Sequence, residues 1–215
     1  GMIRDLGWWA LSEACHHIAA WRTLHPSFGN LSMSVNLSVK QFVDPNFGGK
    51  LEVLLRECNL PEGTQKLELT ETSIMSDSTA AVALLSQLKS LGVRLAIDDF
   101  GTGYSSLSYL HRFPLDTLKI DRSFTDAMRV GERDESMIAR TIMPLAQHLG
   151  LDVVAEGVET LEQADLLRQL NCKYAQGFFF SRPVTAESIE RMLAAAAASG
   201  QVGAPLLLQE PVAIT

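Results

Sequence analysis

The sequence predicts an α/β fold in which one parallel β-sheet is covered by helices. Short runs of β-branched and other apolar residues alternate with longer segments of helical periodicity, which is the pattern of repeated βα units. Of the 215 residues, 47% are hydrophobic and 20% are charged, and this balance suits a buried sheet under amphipathic helices. A chain of this length fits one large α/β domain, so we expect a single core.

Six segments have the length and composition of buried strands: 31–37, 66–70, 94–98, 117–121, 152–156 and 174–179. All six are separated by helical segments and are therefore expected to run parallel. A closed barrel of the TIM type has eight such strands. The pattern therefore predicts either an open sheet or a TIM-type barrel that lacks its first two strands.

Seven helices are predicted, at 6–22, 49–58, 78–91, 105–112, 134–149, 161–170 and 185–197. Gly92, Gly150 and Asn171 each follow the end of one of these segments, and both residue types favour the left-handed backbone of a helix C-cap. We assign residues 1–198 to one domain. Residues 199–215, which include Gly and Pro, are expected to form a tail or linker.

Composition and charge argue against several classes of function. The formal net charge is −7, which disfavours binding to duplex nucleic acid, because that affinity depends on Lys and Arg residues that neutralise phosphates. Cys15, Cys58 and Cys172 are odd in number and far apart, so we predict free thiols rather than disulfides or a zinc site. No apolar run reaches the ~18 residues of a membrane span, and no signal peptide is recognisable. We expect a cytoplasmic domain, whether or not the parent protein is tethered to a membrane.

Polar or charged side chains stand at the C-terminal end of every predicted strand: Asn36, Glu68, Asp98 with Asp99, Lys119 with Asp121, Glu156 with nearby Glu159, and Gln176. In a parallel barrel these ends converge on one face, where active sites are built. A single Asp at such a position can instead cap the next helix, and a Lys-Ile-Asp sequence can form a simple ion pair. The recurrence on all six strands favours a site.

The chemistry of these side chains indicates divalent cations. Five or more carboxylates at one rim would raise each other's pKa values unless cations neutralised them. Oxygen ligands from Asp, Glu and Asn, with no His or Cys at the strand ends, favour Mg²⁺ or Mn²⁺ over zinc or copper. Two such ions about 3.5–4 Å apart are the usual apparatus for in-line hydrolysis of a phosphodiester.

The segment Asp98-Asp99-Phe100-Gly101 contains the Asp-Phe-Gly of protein kinases. No Gly-rich nucleotide loop or His-Arg-Asp run accompanies it, so the kinase interpretation is rejected. The following Gly101-Thr102-Gly103-Tyr104 fits neither a dinucleotide fingerprint nor a P-loop. We interpret it as a flexible loop over the site.

Six spaced motifs carry a family resemblance: Ser34-Val35-Asn36-Leu37-Ser38, Glu68-Leu69-Thr70-Glu71, Asp98 to Leu107, Leu118-Lys119-Ile120-Asp121, Ala155-Glu156-Gly157-Val158-Glu159 and Ala175-Gln176-Gly177. In this order, and over about residues 1–183, they resemble the EAL domains of bacterial cyclic di-GMP signalling. The resemblance implies a modified TIM-type (β/α)8 barrel with one antiparallel strand. It also implies a phosphodiesterase that hydrolyses cyclic di-GMP to the linear dinucleotide over two divalent ions.

The resemblance implies a ligand set for those ions. Asn36, Glu68 and Asp98 resemble the ligands of one ion. Asp98 would also bridge to the second ion, which Asp99 and Glu156 would complete.

Other residues resemble the catalytic and supporting groups of the family. Lys119 resembles the lysine that positions the attacking water, and Glu159 resembles a residue that supports catalysis. Asp121 and Gln176 resemble substrate contacts. Glu71 resembles the glutamate that anchors the loop after the third strand, a loop that also borders the family's dimer surface.

One motif of the family is absent, because no Glu-Ala-Leu sequence occurs in the chain. In the family this motif lies on the second of two strands that precede the position of Leu6. Its Glu is a metal ligand, and the Arg that follows it holds a phosphate. We therefore expect an N-terminally incomplete EAL domain whose hydrolysis, as an isolated fragment, is weak or absent.

Two functions follow from the resemblance. One is the phosphodiesterase, expected to act as a homodimer with sensory or GGDEF-type domains upstream in the full-length protein. The alternative is an inactive cyclic di-GMP-binding or protein-interaction module, as in relatives that have lost activity. Such relatives tend to replace the acidic residues on the remaining strands, whereas all of these are retained here, so the sequence favours the enzyme.

Overall fold

The computed structural model describes residues 2–71, 74, 78–101, 111–126 and 136–199. The loop proposed at 102–104 and nearly all of the helix predicted at 105–112 lie outside these residues. Residues 111 and 112, the end of that predicted helix, form a turn. The tail beyond residue 199 also lies outside the described part of the chain.

The described strands form one sheet in which all pairs are parallel and the spatial order equals the chain order. They are β1 (Met33–Asn36), β2 (Gln65–Thr70), β3 (Arg94–Phe100), β4 (Thr117–Ile120), β5 (Asp152–Ala155) and β6 (Tyr174–Ala175). The six predicted strands are therefore confirmed, with β1, β4, β5 and β6 shorter than expected. This order is that of a TIM-type barrel with two strands fewer than closure requires.

The last strand is the clearest correction, because 174–179 was predicted and β6 ends at Ala175. Beyond it, Val158 N–H donates to the carbonyl of Gln176 at 3.0 Å, and Phe179 N–H donates to the carbonyl of Val158 at 2.9 Å. Phe180 N–H then closes a turn onto the carbonyl of Gly177 at 3.0 Å. The chain therefore turns beside the end of β5 instead of continuing the sheet.

The helices of the described residues are α1 (Met2–Leu24), α2 (Val39–Phe42), α3 (Phe47–Glu57), α4 (Ser78–Ser90), α5 (Arg122–Asp126), α6 (Ser136–His148), α7 (Leu161–Gln169) and α8 (Ala186–Ala198). A 3₁₀ turn at Pro26–Phe28 follows α1. Gly92, Gly150 and Asn171 have φ of +79°, +70° and +58°, as predicted for C-caps. No helix in this part of the chain has the length and apolar content needed to cross a membrane.

Two short helices, α2 and α5, were not predicted. At α2, Gln41 Oε1 accepts hydrogen bonds from the backbone N–H and the hydroxyl of Ser38, at 3.2 and 2.6 Å. At α5, Asp121 Oδ1 accepts from the backbone N–H and the hydroxyl of Ser123, at 2.9 and 2.5 Å. These local side-chain bonds satisfy donors at a helix start. The bonds at Asp121 also explain why β4 stops at Ile120.

The core lies between the sheet and the helices. Leu67, Leu69, Leu95, Ile97 and Leu118 are fully buried in one cluster, with side chains of α1, α3, α4 and α6 such as Leu11, Leu51, Leu85 and Ala146. Cys15, Cys58 and Cys172 are free thiols, as predicted.

Candidate active site

Strand alternation separates the core face of the sheet from the face that carries the candidate residues. Leu67 and Leu69 of β2 pack into the helix-covered core, so Glu68 between them points to the opposite face. The same alternation applies to Lys119 between Leu118 and Ile120 of β4. Five predicted residues consequently share this second face: Asn36, Glu68, Asp98, Lys119 and Glu156.

Lys119 is the centre of the group. Its Nζ lies 2.5 Å from Glu68 Oε2, 3.0 Å from Asp98 Oδ1 and 2.6 Å from Glu156 Oε1. Its side chain is 5% exposed, so the ammonium is almost removed from water and depends on these carboxylates. An ammonium has three donors, and carboxylates from three different strand ends accept from it. The sequence placed these four residues at one rim, and the structure brings them into direct contact.

The electrostatics of the group follow from burial and pairing. Burial alone would lower the pKa of Lys119, but hydrogen bonds to Glu156, Glu68 and Asp98 outweigh it and raise the pKa. Burial raises the pKa of Glu156 despite its bond to Lys119, and the charges of Asp98 and Glu68 raise it further. Lys119 therefore remains charged, while the carboxylates around it exceed what one ammonium can neutralise.

A β-bulge brings both aspartates of the Asp98-Asp99 pair to the site. In a regular strand, consecutive side chains point to opposite faces. Here Ile97 pairs with Leu118 and Phe100 with Ile120, so two residues of β3 stand opposite the single Lys119 of β4. Asp99 has a φ of +54°, a left-handed conformation that residues other than Gly adopt infrequently and that Asp tolerates better than most.

Asp98, Asp99 and Glu156 each offer one carboxylate oxygen, and these oxygens lie within 4.8 Å of one another. Burial, followed by the charges of Asp98 and Asp121, raises the pKa of Asp99. With Glu68 the site holds four carboxylates and one ammonium, which leaves three negative charges in excess when all are ionised. A set of oxygen ligands with this excess of negative charge fits a hard divalent cation.

Asn36 lies at the end of β1 and pairs in register with Glu68. Its side chain is exposed on the edge strand of the sheet. It therefore shares the face of the acidic cluster, beside Glu68.

Glu71 lies apart from the cluster, directly after β2, and is 5% exposed. Its Oε2 accepts a hydrogen bond from the backbone N–H of Gly101 at 3.4 Å. Gly101 is the first residue after β3. The contact joins the segment after β2 to the backbone at the end of β3.

The remaining candidates lie around the rim. Gln176 Nε2 donates to Glu156 Oε1 at 2.9 Å, which links it directly to the cluster. Glu159 Oε1 is 2.9 Å from Nη2 of Arg122, so its carboxylate pairs with α5. Asp121 caps α5 through Ser123, and these bonds lower its pKa against the opposing effect of burial. The helix-capping alternative considered for such an Asp is therefore realised at Asp121.

Sequence reasoning missed a neighbouring pocket of about 510 Å³. Its lining includes Gln176, which bonds Glu156 of the cluster, and also Glu159, Arg122, Phe178 and Arg182. The signal in the sequence is the run Phe178 to Arg182, which follows Gln176 and Gly177 and whose first two residues are predicted as part of a strand.

Comparison with known proteins agrees with this architecture. The family model described as EAL domain matches residues 1–183. The cyclic di-GMP phosphodiesterase NbdA of Pseudomonas aeruginosa is 41% identical over 196 residues, which cover 91% of this chain and 24% of that protein. The bifunctional diguanylate cyclase/cyclic di-GMP phosphodiesterase MucR of the same species is 40% identical over 189 residues, covering 88% and 27%. The chain thus spans about a quarter of the length of these curated relatives.

Solved structures show the same likeness. The PaMucR phosphodiesterase in complex with c-di-GMP matches with a TM-score of 0.82 at 40% identity, covering 88% of this chain and 75% of that one. The EAL domain of Mycobacterium smegmatis DcpA matches with a TM-score of 0.84 at 38% identity, covering 91% and 86%. The six described strands are accordingly an incomplete TIM-type (β/α)8 barrel, and the chain belongs to the EAL domain family.

Proposed function

We propose that this domain hydrolyses cyclic di-GMP to the linear dinucleotide. The observation that carries the proposal is the buried Lys119, held by Glu68, Asp98 and Glu156 at the C-terminal ends of four parallel strands. Relatives at about 40% identity are named as phosphodiesterases of this nucleotide, and one solved relative holds it. Burying several charged groups together lowers the stability of a fold, and such groups with shifted pKa values are found most often at functional sites.

The cluster would hold two divalent cations, Mg²⁺ or Mn²⁺. Asn36, Glu68 and Asp98 would bind one ion, with Asp98 shared and Asp99 and Glu156 completing the other. The excess negative charge and the oxygen-only ligands support this assignment. When bound, such ions neutralise the phosphodiester and make a coordinated water a stronger nucleophile.

Lys119 would orient the attacking water. In the structure its three donors are directed at carboxylates, and one donor would become available if a carboxylate bound a cation instead. That N–H can then hold the oxygen of the water in line with phosphorus. The water loses a proton as its oxygen forms a bond to phosphorus, the ester bond to one ribose breaks, and the departing ribose oxygen takes up a proton.

The remaining candidate residues would orient the site or contact the substrate. Glu159 would support the site through Arg122, Gln176 would orient Glu156 and contact substrate, and Asp121 would contact substrate from the start of α5. Glu71 would fix the start of the loop after β3.

The inactive binding module is the less favoured alternative. Glu68, Asp98, Asp99, Lys119 and Glu156 are all present, and the acidic side chains converge on the lysine. We further propose that residues 1–198 form the functional domain, that it acts as a cytoplasmic homodimer, and that sensory or GGDEF-type domains precede it in the full-length protein. Light scattering tests the homodimer, and sequencing upstream of Gly1 tests the presence of the preceding domains.

The function is tested by the turnover of cyclic di-GMP with Mg²⁺, with Mn²⁺ and with a chelator. Two proteins are compared: the 215-residue chain and a version extended upstream by about 50 residues, a length that two strands and a helix require. We expect metal-dependent formation of the linear dinucleotide by the extended version and much weaker turnover by the chain itself. Absence of turnover from both, with the nucleotide still bound, would identify the alternative module.

A further inference from the structure

A cavity of about 170 Å³ lies where the chain enters β4 and β5, at the ends of these strands opposite to the acidic cluster. Two of its lining residues are His111 and His148, and the proposed function uses neither. We propose that these two imidazoles bind a divalent transition-metal ion of the zinc or copper type. The ion would join the two segments that lead into β4 and β5, and its binding does not depend on the proposed function.

The two histidines come from segments that the sheet holds side by side. His111 lies six residues before the start of β4 at Thr117, and His148 ends α6, four residues before the start of β5 at Asp152. Thr117 and Asp152 pair in register, and Asp152 N–H donates to the carbonyl of Asp116 at 2.9 Å. This backbone pairing fixes the two segments relative to each other before any ligand binds.

The backbone of His148 is fixed by the helix cap that follows it. Gly150, with a φ of +70°, donates its N–H to the carbonyl of Gln147 at 3.1 Å, and Leu151 N–H donates to the carbonyl of Ala146 at 2.9 Å. These two bonds are the Schellman arrangement of a helix C-terminus. A ligand side chain on such a fixed segment loses little freedom when it binds an ion.

The ring of His148 is oriented as the rings of metal-binding histidines are. Its Nδ1 lies 2.7 Å from the carbonyl oxygen of Pro144. A carbonyl only accepts hydrogen bonds, so Nδ1 carries a proton, and Nε2 of the neutral ring keeps its lone pair for a ligand. Metal-binding histidines usually donate their other N–H to a carbonyl or a carboxylate in this way. Attraction to the helix dipole would account for a histidine at this helix end, but it would not account for His111 in the same cavity.

His111 supplies the second imidazole. Among the residues that the structure describes, none forms a hydrogen bond or an ion pair with its ring, and both histidines are exposed, so an ion from solvent can reach them. The other lining residues are apolar: Phe113, Leu115, Leu149 and Leu151. The surface of the cavity is nevertheless mostly polar. This polar surface therefore comes from the two imidazoles and from the backbone.

The ligand chemistry of this cavity differs from that of the acidic cluster. Imidazole nitrogen suits zinc, copper and nickel, and Cu²⁺ binds such ligands most tightly, whereas the carboxylates of the cluster suit Mg²⁺ and Mn²⁺. One water needs only about 10–15 Å³ of cavity, so the volume accommodates an ion together with waters that complete its coordination. An ion here would connect the segments that lead into the strands of Lys119 and Glu156.

The test is a Cu²⁺ titration of the 215-residue chain, followed by electron paramagnetic resonance with Mg²⁺ in excess. Nitrogen ligands split the Cu²⁺ signal and oxygen ligands do not, so the spectrum separates this site from the acidic cluster. His111→Ala and His148→Ala should each weaken the nitrogen-bound Cu²⁺ at least about tenfold, the lower range for loss of a group that only supports a metal ligand. The matched control is His16→Ala, because His16 Nδ1 also lies 2.7 Å from a carbonyl four residues earlier, that of Ser12, but lines a different cavity. This control should leave the affinity unchanged.

A second variant separates ion binding from support of the helix end. His148→Gln keeps an N–H donor for the carbonyl of Pro144 but removes the imidazole, and it should lose Cu²⁺ affinity as His148→Ala does. Mn²⁺ affinity of the acidic cluster should be the same in wild type and in all of these variants. A Cu²⁺ signal without nitrogen splitting in wild type, unchanged affinity in either the His111 or the His148 variant, or an equal loss in His16→Ala would overturn the proposal.

Discussion

Removal of Lys119 should destabilise the fold in a way that divalent cations repair. Its ammonium lies within 3.0 Å of Glu68, Asp98 and Glu156 and is 5% exposed. Deleting one partner of a buried ion pair costs about 3–5 kcal/mol, because the charges left behind are uncompensated. For a domain of this size, about 1 kcal/mol changes the melting temperature by about 2–4 °C, so Lys119→Ala should melt at least about 6 °C lower in a chelator.

Divalent cations should then stabilise the variant more than the wild type, because they replace the missing positive charge. A cation present at about 100 times its dissociation constant adds about 2.7 kcal/mol. The assay is thermal unfolding by circular dichroism, in EDTA and over a Mg²⁺ titration. The matched control is Lys89→Ala, whose partner Asp116 lies at 2.7 Å but whose side chain is 33% exposed, so the expected cost is at most about 1 kcal/mol. Equal melting of Lys119→Ala and wild type in EDTA, or weaker stabilisation of the variant by Mg²⁺, would refute this reasoning.

Three further substitutions test the parts around this centre. Gly157→Ala places a Cβ 2.3 Å from Cγ of Arg122 on a backbone with φ of +69°, and it should lower the free energy of unfolding in urea by about 1–3 kcal/mol. In an Arg122→Ala background part of this loss should be recovered. If the losses of the two substitutions simply added, the contact between Arg122 and the new Cβ would be excluded. Glu71→Ala should speed hydrogen exchange at Gly101 and lower turnover while the cluster still binds Mn²⁺; unchanged exchange would contradict the anchoring role. Asp98→Asn should lower Mn²⁺ affinity, measured by electron paramagnetic resonance, by at least about tenfold, and wild-type affinity would remove Asp98 from the ligand set.

The sequence predicted the sheet well because local patterns determine it. Buried parallel strands have a recognisable composition, and Gly92, Gly150 and Asn171 marked helix ends through a conformation that few residues favour. Polar residues at the strand ends located the candidate site, since a parallel sheet brings these ends together. The short helices α2 and α5 also carried local signals, Gln41 after Ser38 and Ser123 after Asp121, but four- and five-residue helices lack a periodic apolar face.

The remaining features depend on contacts between distant segments. The bulge at Asp98 and Asp99 exists only relative to the register of β4, so no pattern within β3 reveals it. The early end of β6 depends on the backbone of Val158. Likewise, the pocket around Arg182 forms because the segment after β6 turns beside β5, and its apolar composition resembles that of a strand.

The kcat of Lys119→Ala on cyclic di-GMP, made in the upstream-extended version and measured at saturating Mg²⁺ and nucleotide, tests the central claim most directly. If Lys119 orients the attacking water, kcat should fall by at least about 10²-fold, the loss that misplacing a reacting group by about 1 Å can cause. Lys89→Ala should keep the wild-type value, and Mn²⁺ should still bind to the Lys119 variant. A kcat for Lys119→Ala within a few-fold of wild type would contradict the account.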